Sequence, residues 1–365
     1  VTVPKTKARR LTRADIVAAA NTHFCWGDPN PYRPSVDVAN SLLSWGITAL
    51  RERWFPRNRA QQDGFSAFCA GGGRLYLVMG AMDSSLAEIT DDMQTWRSSK
   101  FVDYTLGISG PNEPNKGENT TWPDALKKRQ QVIWDQRVSG VDVCAGALMH
   151  NVSDYDGDLL TMVSSGIVDL ADHGDFHNYP AAKGPLGNES EVVRARQAYG
   201  EMDLWQSETG WTTQQTGPDD QARWVAEAIL RGHLREGMAG TIIYEALDNV
   251  KNEGQHSGNF GPDWSAWVTP MVTGFDGTRE FPGWLADYSK NVPYDGQFVA
   301  TADADAGWTL YLLADENSTQ EHYTLVMPPR LTCSLGKPDK TGDDGNYRWV
   351  DRPVDQSLTR ITVTG

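Results

Sequence analysis

Glu113 and Glu208 sit in matched settings. The first lies in Gly110-Pro111-Asn112-Glu113-Pro114-Asn115, the second in Gln206-Ser207-Glu208-Thr209-Gly210-Trp211. A short apolar, β-rich run precedes each, Phe101 to Ile108 in one case and Asp203-Leu204-Trp205 in the other, and the chain turns where the glutamate comes. A carboxylate at the C-terminal end of a parallel strand is where a (β/α)8 barrel keeps its chemistry. The separation leaves room for two βα units, so both are expected at one barrel mouth, as acid and nucleophile for glycoside cleavage. A lone glutamate is most often a solvated surface carboxylate; the pair in matched settings carries the reading.

Such a pair needs a scaffold of alternating strands and helices, and the pattern occurs eight times. Strands are expected at Asn21–Trp26, Ile47–Trp54, Arg74–Met79, Phe101–Ile108, Val141–Leu148 and His173–Pro180, then before Glu208 and over Gly240–Leu247. Helices are expected at Ser35–Trp45, Gln61–Ala70, Leu86–Ser98, Trp122–Ser139, Leu159–Gly166 and Glu191–Tyr199. A further helix runs from a cap at Asp219 or Asp220, and a short one ends near Ala20. The expected fold class is α/β, a (β/α)8 TIM barrel over residues 21–290 behind a lead-in of 1–20. A long Gly/Asn/Pro-rich loop from Asp248 to Pro270 follows the last strand. Past Asn291, runs such as Trp308–Leu313 and Tyr323–Met327 alternate with turns, which reads as a small C-terminal antiparallel β-domain, sandwich-like, over 291–365. A unit so small is marginal alone and is expected to pack on the barrel.

Asn-Glu-Pro after one strand, with Ser-Glu-Thr-Gly-Trp after a later one, resembles the retaining glycoside hydrolases of clan A. The nearest pattern is a family 39-like or family 5-like barrel with an appended β-domain, and the resemblance covers residues 21–290. It implies Glu113 as acid/base after strand 4 and Glu208 as nucleophile after strand 7. It further implies that Arg51 buttresses the nucleophile, with Arg53 on the same strand face as a second candidate. Asn112 would bind the sugar 2-hydroxyl, and His177 and Tyr179 would orient the nucleophile. On strand 8 the clan usually offers a tryptophan platform; here Tyr244 stands there with Glu245 beside it, and Trp264 or Trp267 from the long loop is the alternative. Trp26 and Trp211 are further subsite candidates, and no cofactor is implied. The chemistry needs the pKa values of the two carboxyls pushed apart. Glu208 is expected to be held ionised by a cation and donors, and Glu113 kept protonated by partial burial and the Glu208 charge.

Acidic residues outnumber basic ones 48 to 33, for a formal net charge of −15, which argues against nucleic acid or anionic lipid as partner. No apolar run reaches the ~18 residues of a membrane span. The 14 tryptophans offer faces for sugar rings, though such rings also fill cores. The polar, basic start at Val1–Arg10 leads into no apolar region and reads as a mature terminus. The expectation is a secreted or periplasmic monomer whose partner is carbohydrate. Cys25, Cys69, Cys144 and Cys333 lack metal-type spacing, and their pairing is open. Cys25 and Cys144 fall in expected strands, as small hydrophobes. Asn119, Asn151, Asn188 and Asn317 each begin an Asn-X-Ser/Thr acceptor sequence.

Two rival readings remain. Asp172, His173, Asp175 and His177 offer metal ligands, and a metal-dependent hydrolase would use His173 and His177. But His173, Asp175 and His177 alternate along one strand, so they are expected at increasing depth rather than around one ion. A non-catalytic carbohydrate-binding barrel would be favoured had either glutamate been replaced, and both are present.

Overall fold

The computed structural model describes residues 17–247, apart from 28–29, 117–120, 150–151, 153, 181–183, 186–188, 213–215 and 236. Beyond these it describes the backbone of 297–302, 308–313, 322–327, 332–333, 348–353 and 359–364. Eight parallel strands are β1 (Ala19–Asn21), β2 (Ala49–Arg53), β3 (Arg74–Val78), β4 (Thr105–Ser109), β5 (Asp142–Cys144), β6 (Gly174–His177), β7 (Leu204–Thr209) and β8 (Met238–Ile243). They pair in the order β5-β4-β3-β2-β1-β8-β7-β6. The bridges Cys144–His173 and Leu148–Phe176 bring β5 back against β6 and close the ring as a (β/α)8 barrel.

Helices α1 (Ser35–Ser44), α2 (Arg59–Ala70), α3 (Leu86–Arg97), α4 (Trp122–Asp135), α5 (Tyr155–Ser164), α6 (Glu189–Tyr199) and α7 (Pro218–Leu234) alternate with the strands. Local chemistry starts them. The Asn58 side chain accepts from the Gln61 N–H at α2, and Ser85 with Glu88 forms a capping box at α3. Outward strand residues Leu50, Leu77, Ile108 and Val143 pack with helical Leu42, Phe65, Ile89 and Ile133 in the main core. Inward residues Ala19, Ala49, Tyr76, Cys144, Trp205 and Ile242 plug the barrel itself. Two residues further along β1 and β2 the inward positions become Asn21 and Arg51, so the plug turns polar toward the C-terminal mouth.

Strand β7 departs from strict alternation. Its pairing to β6 passes from Phe176–Gln206 to His177–Glu208, and its pairing to β8 from Gln206–Thr241 to Thr209–Ile243. An extra residue is therefore accommodated near Ser207. With Trp205 inward, strict alternation would face Glu208 outward; the bulge turns it in.

Several boundaries differ from expectation. The short helix expected to end near Ala20 begins outside the described residues, and where it was expected to end the chain forms strand β1 at Ala19–Asn21, so Cys25 and Trp26 lie in the loop beyond it. Alanines favour helix locally, but pairing of Ala19 with both Ala49 and Ile242 overrides that preference. Helix α5 begins at Tyr155, capped by Asp154, earlier than expected. Helix α7 is entered through Gly217 (φ 80°) with Pro218 in its first turn, not through an aspartate cap. Tyr244 and Glu245 follow β8 rather than lying in it.

The C-terminal strands are β9 (Gln297–Ala302), β10 (Trp308–Leu313), β11 (His322–Met327), β12 (Thr332–Cys333), β13 (Arg348–Pro353) and β14 (Thr359–Thr364). They pair antiparallel, as expected, in a four-stranded sheet β12-β14-β10-β9 and a pair β11-β13. The long loop with Trp264 and Trp267 lies outside the described residues. Cys25, Cys69 and Cys144 are free thiols. No helix among the described residues is long and apolar enough to cross a membrane.

Candidate active site

The loop after β4 is pressed against the loop after β5. A Cβ on Gly146 would stand 2.8 Å from the Pro111 carbonyl oxygen, so only glycine admits this approach. The Glu113 N–H then donates to Ala147 O at 2.9 Å. Asn115 fastens the loop, donating to Met149 O (3.0 Å) and Asp158 Oδ2 (2.7 Å) and accepting from the Met149 N–H (2.8 Å). Held this way, Glu113 has φ 48°, the one non-glycine residue at positive φ among the described residues. That conformation costs about 1–2 kcal/mol, which the clamped loop sustains.

His177, ending β6, stands between the two glutamates. Its Nδ1 is 3.2 Å from Glu113 Oε1 and 3.5 Å from Glu208 Oε2. One carboxylate oxygen of Glu113 and one of Glu208 lie within 4.8 Å of each other around this ring. Arg51, 3% exposed, donates from Nη1 to Glu208 Oε1 (2.8 Å) and Asn21 Oδ1 (2.7 Å), and from Nη2 to Asn112 Oδ1 (2.6 Å). The same Nη2 is 3.5 Å from His177 Nε2. A guanidinium only donates, so Nε2 faces it as an acceptor and the ring proton is assigned to Nδ1, toward Glu113. The Tyr179 hydroxyl donates to Glu208 Oε2 at 2.5 Å.

These contacts decide the charges. Burial acts to raise the Glu208 carboxyl, but His177, the Arg51 charge and the Tyr179 hydrogen bond outweigh it and lower it. Burial would drag the Arg51 guanidinium down; Glu208 and Asp175 more than offset that. Burial and the Glu208 charge push the Tyr179 hydroxyl far up, so it stays a donor. Glu113 corrects the expectation. Burial acts to raise it, yet His177 and the Lys116 ammonium, 3.1 Å from Oε2, bring it down to about 2. In the resting site Glu113 is therefore ionised, not protonated.

Of the residues singled out in the sequence, Arg51, Asn112, His177 and Tyr179 converge with Glu113 and Glu208. Half-buried Tyr244 packs edge-on to Tyr179 (6.2 Å between centroids) and to His23 (5.8 Å), and Trp26 stacks on His23 at 3.6 Å. Three others stand elsewhere. Arg53 turns from the carboxylates to Ser84 Oγ (3.2 Å). Trp211 is 2% exposed and packs on Trp224 behind β7, in the main core rather than in a subsite. Glu245 is fully buried, 3.3 Å from His23 Nε2 and accepting from the Tyr32 hydroxyl at 3.4 Å, so it belongs to the wall. The metal candidates disperse. His173 meets Asp142 (3.3 Å), Asp172 accepts from the Val143 N–H (2.8 Å), and Asp175 accepts from Tyr76 (2.8 Å). Sequence reasoning missed Asn21, which orients Arg51, and Lys116. The latter stands three residues beyond Glu113, so its place in the motif loop was the available signal.

No family model matches the chain, and no curated protein matches it in sequence. Solved structures do match. A family 39 glycoside hydrolase from the gut symbiont Bacteroides cellulosilyticus WH2 is similar over 98% of this chain and 83% of its own, at TM-score 0.56 and 12% identity. The endo-beta-1,4-mannanase from Thermotoga petrophila aligns over 98% of both chains, at TM-score 0.51 and 10% identity. An active-site mutant of the Rhizomucor miehei beta-1,3-glucanosyltransferase, in complex with laminaritriose, aligns over 68% of this chain and 93% of its own, at TM-score 0.50 and 14% identity. The likeness is one of fold, and the barrel expected from the sequence is the one observed.

Proposed function

We propose that this chain is a retaining glycoside hydrolase of clan A type, acting on β-linked poly- or oligosaccharide, with Glu208 as nucleophile and Glu113 as acid/base. The carrying observation is that one oxygen of each carboxylate lies within 4.8 Å of the other's at the barrel mouth, an approach on the retaining side of the two geometries. Retaining pairs stand ≈ 5–5.5 Å apart and inverting pairs ≈ 6.5–9.5 Å, because inversion needs a water between base and sugar. Glu208 attacks the anomeric carbon while Glu113 gives its proton to the leaving oxygen; the glycosidic C–O bond breaks as the ester to Glu208 forms. Water, deprotonated by Glu113, then opens the ester. Arg51 and Tyr179 keep Glu208 ionised and aimed, and the exposed Asn112 amide meets the sugar 2-hydroxyl. Glu113 must first gain a proton, and the Lys116 side chain, 66% exposed, is free to swing away as substrate enters. The barrel at 21–290 carries this chemistry and 291–365 is an accessory domain. A polysaccharide substrate fits a secreted or periplasmic monomer.

On a panel of β-glycans, Glu208→Ala is expected to lose turnover by about three orders of magnitude or more while keeping its thermal transition. An unchanged rate would sink the nucleophile assignment. No turnover by the unaltered chain, with glycan still bound, would favour the non-catalytic carbohydrate-binding barrel.

A second reading has one observation behind it: Glu113, His177 and Glu208 have the donor types and spacing to hold a metal ion. Arg51 argues against it, since its cation already faces Glu208 Oε1 and His177 Nε2. Dialysis against a chelator is therefore expected to leave activity intact; loss restored by Zn²⁺ or Mn²⁺ would favour the metal.

A further inference from the structure

Beside the barrel mouth lies a cleft of ≈ 610 Å³ lined by Arg53, Phe55, Arg57, Ser84, Asp91 and Asp92 among others. Its residues come from the end of β2, the loop after β2, the loop after β3 and the first two turns of α3. These follow the C-terminal ends of strands, so the cleft opens on the face that carries Glu113 and Glu208. Arg53 is two residues beyond Arg51 on the same side of β2, roughly 6.6 Å further toward the rim.

The cleft's two walls differ in charge. On one, the Arg53 guanidinium lies over the Phe55 ring at 4.8 Å and donates to Ser84 Oγ, while its buried Nε has no hydrogen-bond partner among the described residues. On the other, α3 presents Asp91 and Asp92. Asp91 meets Arg57 at 3.6 Å, and Asp92 makes no ion pair among the described residues. Burial pushes the Asp92 carboxyl up to about 6 despite the pull of Arg53. An anionic ligand would meet Asp91, Asp92 and Glu88, and a cation would meet Arg53 and Arg57. A neutral polyol suits both walls, because each hydroxyl accepts from a guanidinium and donates to a carboxylate. The Phe55 ring, with Arg53 over one face, adds apolar lining for a sugar ring to pack against.

We propose that this cleft is a distal subsite for a neutral sugar unit of the glycan chain whose scissile bond lies between Glu113 and Glu208. The proposal rests on the hydrolase reading for the position of that bond. It makes chain length, sensed at Arg53, Phe55 and Asp92, a determinant of specificity.

The test is calorimetric. Neutral β-1,3- and β-1,4-linked gluco- and manno-oligosaccharides, from disaccharide to hexasaccharide, are titrated into the full chain carrying Glu208→Gln, which blocks turnover. Adding Asp92→Ala, or separately Phe55→Ala, is expected to weaken the longest oligosaccharides about tenfold, the worth of one or two hydrogen bonds at Asp92 and of lost apolar contact at Phe55. The disaccharides should bind unchanged. Asp92→Asn, which keeps the shape, guards against a variant that fails to fold. Equal loss at every length, no loss in any variant, or no binding at all overturns the subsite. So does preference of the cleft for hexuronate oligosaccharides or Ca²⁺. Binding is read without catalysis, so a ladder-binding but inactive protein would sink the hydrolase reading and leave the subsite standing.

Discussion

The Lys116 ammonium, 3.1 Å from Glu113 Oε2, helps hold that carboxyl at about 2, and the acid proposed for catalysis, held so low, is deprotonated over most of the working range. Removing a cation favours the protonated form of its partner. The alkaline limb of kcat/KM, which reports the acid in the free enzyme, should therefore move to higher pH in Lys116→Met. An exposed ion pair is worth under about 1 kcal/mol, so the expected displacement is roughly half a pH unit. A limb that stays put while kcat falls would mean that Lys116 only packs. At this scale the sequence was informative about Glu113, Glu208, Arg51, Asn112 and His177, because motif and strand position place them. The direction of the Glu113 shift was not legible. It depends on His177 and Lys116 folding back onto one carboxylate, which no one-dimensional pattern encodes.

Between elements, the decisive contact is where the loop after β4 meets the loop after β5. Adding one methyl in Gly146→Ala would press Cβ to 2.8 Å from Pro111 O and 2.9 Å from Leu126 Cδ1. The neighbour that must give way is backbone two residues before Glu113. A shift of about 1 Å in a catalytic group can cost on the order of a hundredfold, so kcat is expected to fall at least tenfold. The melting temperature should drop by only a few degrees. An unchanged kcat would show that the loop tolerates the displacement. Strands β2 to β8 were readable from their apolar runs, and most helices from their periodicity. Two features were hidden. Strand β1 is made of alanines that read as helix until paired with β2 and β8. The bulge in β7 consumes one residue and reverses the side on which Glu208 falls, which neighbouring strands impose and sequence alternation cannot show. Trp211 was misplaced for a related reason: the chain beyond Thr209 turns its ring toward α7.

Across the whole molecule, alternation of strand and helix announced the barrel, and the seam between β5 and β6 completes it with two isolated bridges. Similarity to solved structures at 10–14% identity carries that architecture and no residue roles. The roles rest on where the barrel sets its carboxylates. The most direct measurement is proton NMR of the first-formed product on a β-glycan that the protein cleaves, recorded before mutarotation. If Glu208 attacks directly, as proposed from the oxygens of the two carboxylates that lie within 4.8 Å, the new reducing end keeps the β configuration. A first product of α configuration would require a gap of about 6.5–9.5 Å and would contradict the assignment of Glu208 as nucleophile.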